Sequence, residues 1–332
     1  MNREQPEHDT IRTMIDLASR APSIHNSQPW LWELHGNELR LYADYRFAVP
    51  AADPHGRQLT LSLGAHLDHF RAASAAQGWA TNVTRLPNPV HRDHLATVEF
   101  TSRQTILDGC AQRSKAIRER FTDRLPMHSI TEQELRDFTD RVHSDAYNTT
   151  HSTLLPSETK PGLARASRAS SAARRYDAAY HDELDWWTEQ PSTRDYGIPA
   201  SSLLSSSEAQ RVAVGRDFPH ATTGQPRRRN IPADQACILL LSSYSSSTLD
   251  VLRCGEALSE LLLDAVTVGL STCIVSHVFE TPTGRAIVRQ LVDDTAEPQV
   301  LVRVGRRDEA ELPTPTPRRP VDDVFRIVGN PR

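Results

Sequence analysis

The segment Arg20-Ala21-Pro22-Ser23-Ile24-His25-Asn26-Ser27-Gln28-Pro29-Trp30 concentrates side chains suited to gripping a planar polar ligand. Ser23, Asn26 and Gln28 supply donors and acceptors, and the backbone N–H groups of a turn at Pro22 add more. That set matches an amide-rich heterocycle such as an isoalloxazine, whose carbonyls and ring nitrogens lie in one plane. The same residue types also build ordinary capped turns, so from the residues alone both readings stand. Ser23 is a poor nucleophile, because no local arrangement assigns it a base, although His25 lies two residues on.

The elements that must position this loop are legible on both sides of it. Ile11, Met14, Ile15 and Ala18 recur at helical spacing, so residues 8–20 read as a helix that turns at Pro22 and gives way to a strand after Pro29. Residues 30–34 and 38–43 read as a hairpin, 57–77 as a long helix, 79–86 and 95–101 as strands, and 103–119 as a connecting helix. Thr131-Glu132-Gln133-Glu134 has the form of a capping box that opens a further helix. One helix is expected over about 163–188. A strand at 238–242, helices at 253–268 and 281–292, and strands at 272–277 and 299–304 follow, the last of these being the final strand.

An internal repeat organises these elements. Gly64-Ala65-His66-Leu67-Asp68-His69-Phe70, closing at Gly78, recurs as Gly255-Glu256-Ala257-Leu258-Ser259-Glu260-Leu261, closing at Gly269, with an offset of 191 residues. Leu67 matches Leu258 and Phe70 matches Leu261, so both copies place apolar residues on one helical face before turning into a strand. Two such helices would form the core of a pseudo-dimer within one chain.

Several words in the chain bear a family resemblance. Ala-Pro-Ser-x-x-Asn-Ser-Gln-Pro-Trp at 21–30 resembles the flavin loop of the nitroreductase family, FMN enzymes that work as intertwined homodimers. Arg120-Phe121-Thr122-Asp123-Arg124-Leu125-Pro126 resembles the family's arginine-rich word for the flavin phosphate and pyrimidine side. Gly269 to His277 resembles the strand that passes the flavin N5 edge, and Pro298 to Gly305 the closing strand. In ordinary members the arginine-rich word precedes the loop, whereas here it follows about a hundred residues later. A fused repeat accounts for that order and is similar to the Acg-type branch of the family.

The resemblance implies an α+β, nitroreductase-like fold of two tandem half-units, with central mixed or antiparallel sheets flanked by helices. Residues 1–110 would form the first half and 111–332 the second, with a lid insertion over about 152–230 whose tip is Tyr196-Gly197-Ile198-Pro199. Because each half keeps one of the two binding words, a single FMN per monomeric chain is implied. Its implied ligands are Arg20, Pro22, Ser23, His25, Asn26 and Gln28 from the first half. Arg120, Arg124 and Thr122 would serve the phosphate or ribityl end, with Arg318 or Arg319 as a late basic group. Ser276 and His277 would act through the main chain at N5. The bulk of His277 departs from the family pattern and would restrict stacking at that point.

NAD(P)H is the implied electron donor and a nitroaromatic or quinone the implied class of acceptor, its identity not encoded in any motif. A tightly closed lid would instead imply storage of FMN with little turnover. A third alternative is a stress-associated binding protein that has lost the flavin.

Composition bounds these readings. With 332 residues and a net charge of −4, the chain has the length for a fused double unit and lacks the basic balance of a nucleic-acid binder. It shows no apolar run of bilayer length and no signal-peptide core in Met1-Asn2-Arg3-Glu4-Gln5, so no membrane partner and a cytoplasmic location are expected. Of four scattered cysteines, Cys110, Cys237, Cys254 and Cys273, three lie in apolar contexts and read as core thiols. His66-x-x-His69 and His91-x-x-His94 lack a third ligand, so no metal is expected. Arg227-Arg228-Arg229 reads as a short solvated charge run. Phosphate-loop, dinucleotide and serine-hydrolase motifs are missing.

Overall fold

The computed structural model describes residues 5–103, 108–142, 149–189, 194–218, 225–292, 295–308 and 315–329. Helix α1 (His8–Ala18) buries Ile11, Met14, Ile15 and Ala18, the stripe that its apolar spacing dictates. Strands β1 (Trp30–His35) and β2 (Glu38–Ala43) form the expected hairpin. Helix α2 (Arg57–Ala76) leads through Gly78 to the antiparallel pair β3 (Trp79–Arg85) and β4 (His94–Arg103). Helix α3 (Asp108–Glu119) then crosses to the second half, the start of the expected 103–119 helix lying partly outside the described residues. Helix α4 (Glu132–Val142) opens on a reciprocal cap: the Glu134 amide donates to Thr131 Oγ1 at 3.2 Å and the Thr131 amide to Glu134 Oε2 at 2.8 Å.

The second half repeats this plan. Strands β5 (Thr150–Leu155) and β6 (Cys237–Ser243) are followed by helix α8 (Thr248–Thr267) and then by β7 (Ser271–Val275) and β8 (Glu297–Gly305). Its sheet has the order β5-β6-β8-β7, the same as β1-β2-β4-β3 in the first half, with antiparallel pairing throughout both sets. Two insertions distinguish the second half from the first. Helices α5 (Lys160–Ala173), α6 (Ala178–Thr188) and α7 (Ser206–Ala209) lie between β5 and β6, and α9 (Pro282–Leu291) lies between β7 and β8. After β8, helix α10 (Val321–Val324) and strand β9 (Phe325–Val328) return to the first half, where β9 adds in parallel to β1.

The seam between the halves is the packing of α2 on α8. A Cβ on Gly64 would sit 2.0 Å from the Leu252 carbonyl oxygen, and one on Gly255 would sit 2.2 Å from that of Leu61, with each Cβ 2.9 Å from the opposing glycine Cα. Leu61 and Leu252 are themselves repeat equivalents, so the contact is self-complementary, as a two-fold interface requires. Asp68 and Ser259, also equivalents, hydrogen-bond across the seam at 2.6 Å over a separation of 191 residues. Gly78 and Gly269 end the two helices with φ of +78° and +75°, a left-handed stop that glycine adopts without strain.

Three expectations are corrected. The helix over 163–188 is two helices, α5 and α6, because Asp177 caps a new start by accepting from the Tyr180 amide at 3.1 Å. Strand β5 was not anticipated: its polar, half-buried sequence has little apolar alternation and is ordered by its pairing with β6. The strand at 299–304 is not the last, since β9 follows it.

Candidate functional site

A cleft of about 1290 Å³, its mouth included, opens between the two halves. The loop after α1, the α2 residues Gln58, Leu61, Ser62 and Ala65, the stretch 120–124 and the β7 exit at 273–277 form its walls. Residues between 198 and 218 and the returning segment at 316–318 complete it. The loop at 22–28 holds three non-glycine residues in left-handed conformation, His25, Asn26 and Gln28, with φ of 49°, 55° and 53°. Such backbone costs on the order of 1 kcal/mol or more per residue and persists where surrounding bonds over-determine it. Here Ser62 Oγ accepts from the Ile24 amide at 3.1 Å and Ser23 Oγ from the Gln28 amide at 2.9 Å.

One end of the cleft is built for an anion. Arg120 leaves α3 with one nitrogen donating to the Arg20 carbonyl at 2.9 Å, while its Nε and Nη1 are buried without partners. Arg318 donates to Asn26 Oδ1 at 2.9 Å and to the Arg20 carbonyl at 3.3 Å, and its Nε is likewise unpartnered. Burial, with Arg20 beside it, lowers the Arg120 pKa to about 10, and burial next to Arg120 and Arg20 lowers that of Arg318 to about 9. No carboxylate pairs with either among the described residues. Arg124, 5.5 Å over the Phe218 ring and also lowered by burial, lies instead on the Arg216 and His25 side, with the Asp123 charge in reach. Arg120 and Arg318, buried guanidinium groups held together without counter-charge, lack the anion that would offset their desolvation.

The other end is polar and neutral overall. His25 is buried with neither ring nitrogen hydrogen-bonded, and burial, helped by Arg216 and Arg124, depresses its pKa to about 3. His277 shares a 2.8 Å contact with Ser167 Oγ, and burial beside Arg216 holds its pKa at about 3 as well. Both imidazoles are therefore uncharged at neutral pH. Arg216 forms a buried ion pair with Glu280 and donates to Tyr180 Oη at 2.5 Å, and Gln58 Nε2 donates to Glu280 at 2.9 Å. The Arg216 charge and these bonds, working against burial, take Glu280 to about 2. Gln58 Oε1 is left unpartnered.

Of the residues singled out in the sequence, Pro22, Ser23, His25, Asn26, Arg120, Thr122, Arg124, Ser276, His277 and Arg318 line this cleft. Arg20, Gln28 and Arg319 do not. The Arg20 guanidinium donates to the carbonyls of Ile117 and Arg118, at the end of α3 where the helix dipole favours a cation. Arg319 is spent on the Gln28 carbonyl at 2.9 Å and on Asp44 at 3.4 Å. Gln28 is a strut: its side-chain Nε2 donates to the Asp195 carbonyl at 2.9 Å and its Oε1 accepts from the Arg319 backbone amide at 2.9 Å.

The segment expected as a lid tip touches the loop directly. The Gly197 amide donates to the Asn26 carbonyl at 3.1 Å and Asn26 Nδ2 donates to the Gly197 carbonyl at 2.9 Å. Tyr196 packs between Trp186 and Phe47, and Ile198 enters the cleft wall. Sequence reasoning missed the Arg216–Glu280–Tyr180 cluster, whose members lie far apart in the chain. It also misread Arg227-Arg228-Arg229: Arg228 is buried against Asp123 at 2.8 Å and the Pro126 carbonyl, and Arg227 pairs with Glu208 at 2.9 Å. The Arg228 bonds tie down the stretch 120–126 at Asp123 and Pro126.

The repeat aligns the cleft residue Ala65 with Glu256. Glu256 is fully buried and forms a two-pronged bond with Arg85 at 2.6 and 2.7 Å. The counterpart of the cleft is thus occupied at that position by an internal ion pair. His66 is stacked 4.0 Å from Trp30 and accepts from Trp32 Nε1 at 2.7 Å.

No protein-family model matches the chain. Among curated proteins it is 42% identical over 320 residues to a Mycobacterium tuberculosis protein that bears the name NAD(P)H nitroreductase Acg, covering 96% of each chain. A second Mycobacterium tuberculosis protein that bears the name NAD(P)H nitroreductase is 33% identical over 337 residues, covering 98% of this chain and 93% of that one. Among solved structures, a nitroreductase with bound FMN from Desulfitobacterium hafniense aligns with a TM-score of 0.41 and 12% identity, over 66% of this chain and 98% of that one. The FMN-dependent nitroreductase NfnB of Mycobacterium smegmatis, in complex with NADPH, aligns with a TM-score of 0.38 and 15% identity, over 68% and 96% of the two chains.

Proposed function

This chain belongs to the nitroreductase family, in the branch that holds Acg, and from that premise we propose that it binds one FMN in the cleft between its halves and is an NAD(P)H-dependent oxidoreductase. When bound, the flavin would supply hydride acceptance from a nicotinamide and onward transfer of electrons to an acceptor of the nitroaromatic or quinone class. The observation that carries this reading is the distribution of unpartnered buried polar atoms along the cleft. Arg120 and Arg318 present theirs at one end, and His25 and Gln58 present theirs at the other. A ligand with an anionic end and a polar planar end satisfies both sets.

Within this reading Arg120 and Arg318 hold the phosphate, Thr122 lies on the same stretch, Arg124 approaches the flavin from the Arg216 side, and Ser23, His25 and Asn26 border the ring system. Ser276 and His277 offer main-chain contacts at the far edge. The neutral state of His25 leaves it able to donate through one ring nitrogen and accept through the other, whereas His277 already commits Nε2 to Ser167 Oγ. Arg216, tied to Glu280, keeps a fixed positive field near that edge, where negative charge would be stabilised. The buried Glu256–Arg85 pair supports a single site per chain. We further propose that the chain is a monomer divided near residue 110, with the insertion at about 152–230 acting as cover over the cleft.

The test is the visible spectrum of purified protein, followed by anaerobic mixing with NADPH. Bound oxidised flavin that bleaches on mixing is the expected result. A flavin band that persists would contradict the oxidoreductase reading and favour storage, and a colourless protein that takes up no added FMN would contradict both.

A further inference from the structure

We propose that His69, buried behind the anion end of the cleft, is a further ligand of the FMN phosphate and binds it through a proton taken up from solvent as the flavin enters. This rests on the flavin-binding reading above and adds to it a residue that brings no charge of its own. On α2 the cleft-lining residues Gln58, Ser62 and Ala65 follow one helical stripe, and His69, one turn beyond Ala65, continues it. Arg120 and Arg318 both bear electrostatically on His69. Both also donate to the Arg20 carbonyl, close to the end of α1 where His66 Nδ1 donates to the Ala18 carbonyl at 3.1 Å. The stripe thus reaches the arginine end of the cleft.

The hydrogen bonds of His69 fix where its hydrogen sits. Nδ1 lies 3.1 Å from the Ala65 carbonyl, which can only accept, and 2.8 Å from Ser259 Oγ, which spends its own hydrogen on Asp68 at 2.6 Å. Nδ1 therefore carries the hydrogen, and Nε2 is a bare acceptor, buried and without a partner. His66 differs: Trp32 Nε1 donates to its Nε2 at 2.7 Å, so both of its ring nitrogens are used. The charges around His69 are those of Arg120 past the end of α3 and Arg318 on the returning segment, with His66 on its own helix. Asp68 stands behind Ser259, with Arg71, Arg113 and the α8 residue Glu256 in reach of its charge. Burial and the two arginines hold the imidazole well below its usual range, so it is neutral before the flavin binds. A dianionic phosphate satisfies the free Nε and Nη1 of Arg120 and the free Nε of Arg318, but it has no hydrogen to give Nε2. One added proton, shared between a phosphate oxygen and Nε2, turns a meeting of lone pairs into a charge-assisted bond. The repeat places Glu260 at the position of His69, so the second half has no counterpart of this group.

The test is calorimetric titration of the full chain, stripped of flavin, with FMN in two buffers of different ionisation enthalpy. At about pH 7.5 the free phosphate, with a second pKa of about 6, is a dianion. Uptake of about one proton per FMN is expected, with a Kd that rises about tenfold from roughly pH 7 to 8. Dilution of the flavin-loaded protein, followed by fluorescence, reads the same slope without stripping. His69→Asn keeps a donor for Ser259 and lacks Nε2, so its uptake should fall to near zero and its Kd should lose that pH dependence, with Arg120 and Arg318 still in place. Riboflavin, which lacks the phosphate, should bind wild type without proton uptake, a control that stands even if the variant does not fold. FMN bound without proton uptake, equal uptake with riboflavin, or undiminished uptake in His69→Asn would each overturn the proposal while leaving the flavin-binding reading intact. No FMN binding at all would overturn that reading and the proposal with it.

Discussion

Gly64 and Gly255 meet back to back at the centre of the molecule, each occupying the space that a side chain on the other would need. Because they are the same position in two copies of one repeat, this contact is the axis of a dimer written into a single chain. The matching strand orders on either side of it follow from the same duplication.

Replacing Gly64 with Ala places a methyl group 2.0 Å from the Leu252 carbonyl, which is backbone and cannot swing aside. The helices must separate, and overpacking of this kind costs about 1–3 kcal/mol. A fall in the thermal unfolding midpoint and in flavin retention is expected for Gly64→Ala and for Gly255→Ala alike. The same substitution at Gly109, where nothing lies within 4 Å of the added Cβ, checks for a general glycine effect on the midpoint, and equal losses at all three would contradict the seam argument.

Arg120 is a buried charge, and the proposed function makes the FMN phosphate its partner. Removing it as Arg120→Met should weaken FMN binding by about 10- to 100-fold, the range for a hydrogen bond to a charged group, about 1.5–3 kcal/mol. The same variant should raise the stability of the flavin-free protein, because an uncompensated buried cation is gone. Thermal melts with and without FMN check both signs, and a variant less stable in both states would point to a purely structural arginine.

The proposed cover over the cleft is anchored by Tyr196, which packs against Trp186, Trp187 and Phe47. Tyr196→Ala loosens that anchor while leaving the cleft residues in place. Flavin release, followed by fluorescence after dilution, should accelerate about tenfold, in line with covers that gate ligand exchange. An unchanged release rate would remove the covering role from this segment.

Acid stability follows from the buried histidines. His25, His66 and His277 have pKa values depressed to about 3, chiefly by burial. Each therefore contributes stability that is fully present above the unfolded value near 6.5 and is lost as pH falls toward 3, at about 1.4 kcal/mol per pH unit. Glu260 acts in the opposite sense. Burial and Asp68 raise it to about 7, so its contribution is complete below the unfolded value near 4.5 and is lost as pH rises through 7. The unfolding midpoint should fall from pH 6.5 downward, with Glu260 offsetting part of the histidine loss above pH 4.5, and fall more steeply below, where that offset ends and Glu280 also begins to protonate. A midpoint flat from pH 6 to 4 would contradict these assignments.

The parts of this architecture that local sequence could show are those with local causes. The α2 and α8 copies carry their own apolar stripe and glycine stop, and the loop at 22–28 carries its turn chemistry, so both were legible. Strand β9 was not, because Phe325-Arg326-Ile327-Val328 becomes a strand through pairing with β1, nearly the whole chain away. The Arg216–Glu280–Gln58–Tyr180 cluster is likewise assembled from four separate elements. Arg228 read as solvated because its partner Asp123 lies 105 residues earlier. Arg318 and Arg319 are adjacent in sequence, and the fold alone separates their roles: the first faces the cleft, and the second clamps the returning segment onto Gln28 and Asp44.

Native mass spectrometry of the purified chain, paired with its visible spectrum, tests the central claim most directly. The account predicts a 37.1 kDa monomer carrying one FMN, lost when Arg120 and Arg318 are both replaced by Met. Two flavins per chain, a flavin bound only by a dimer, or full occupancy in the double variant would contradict it.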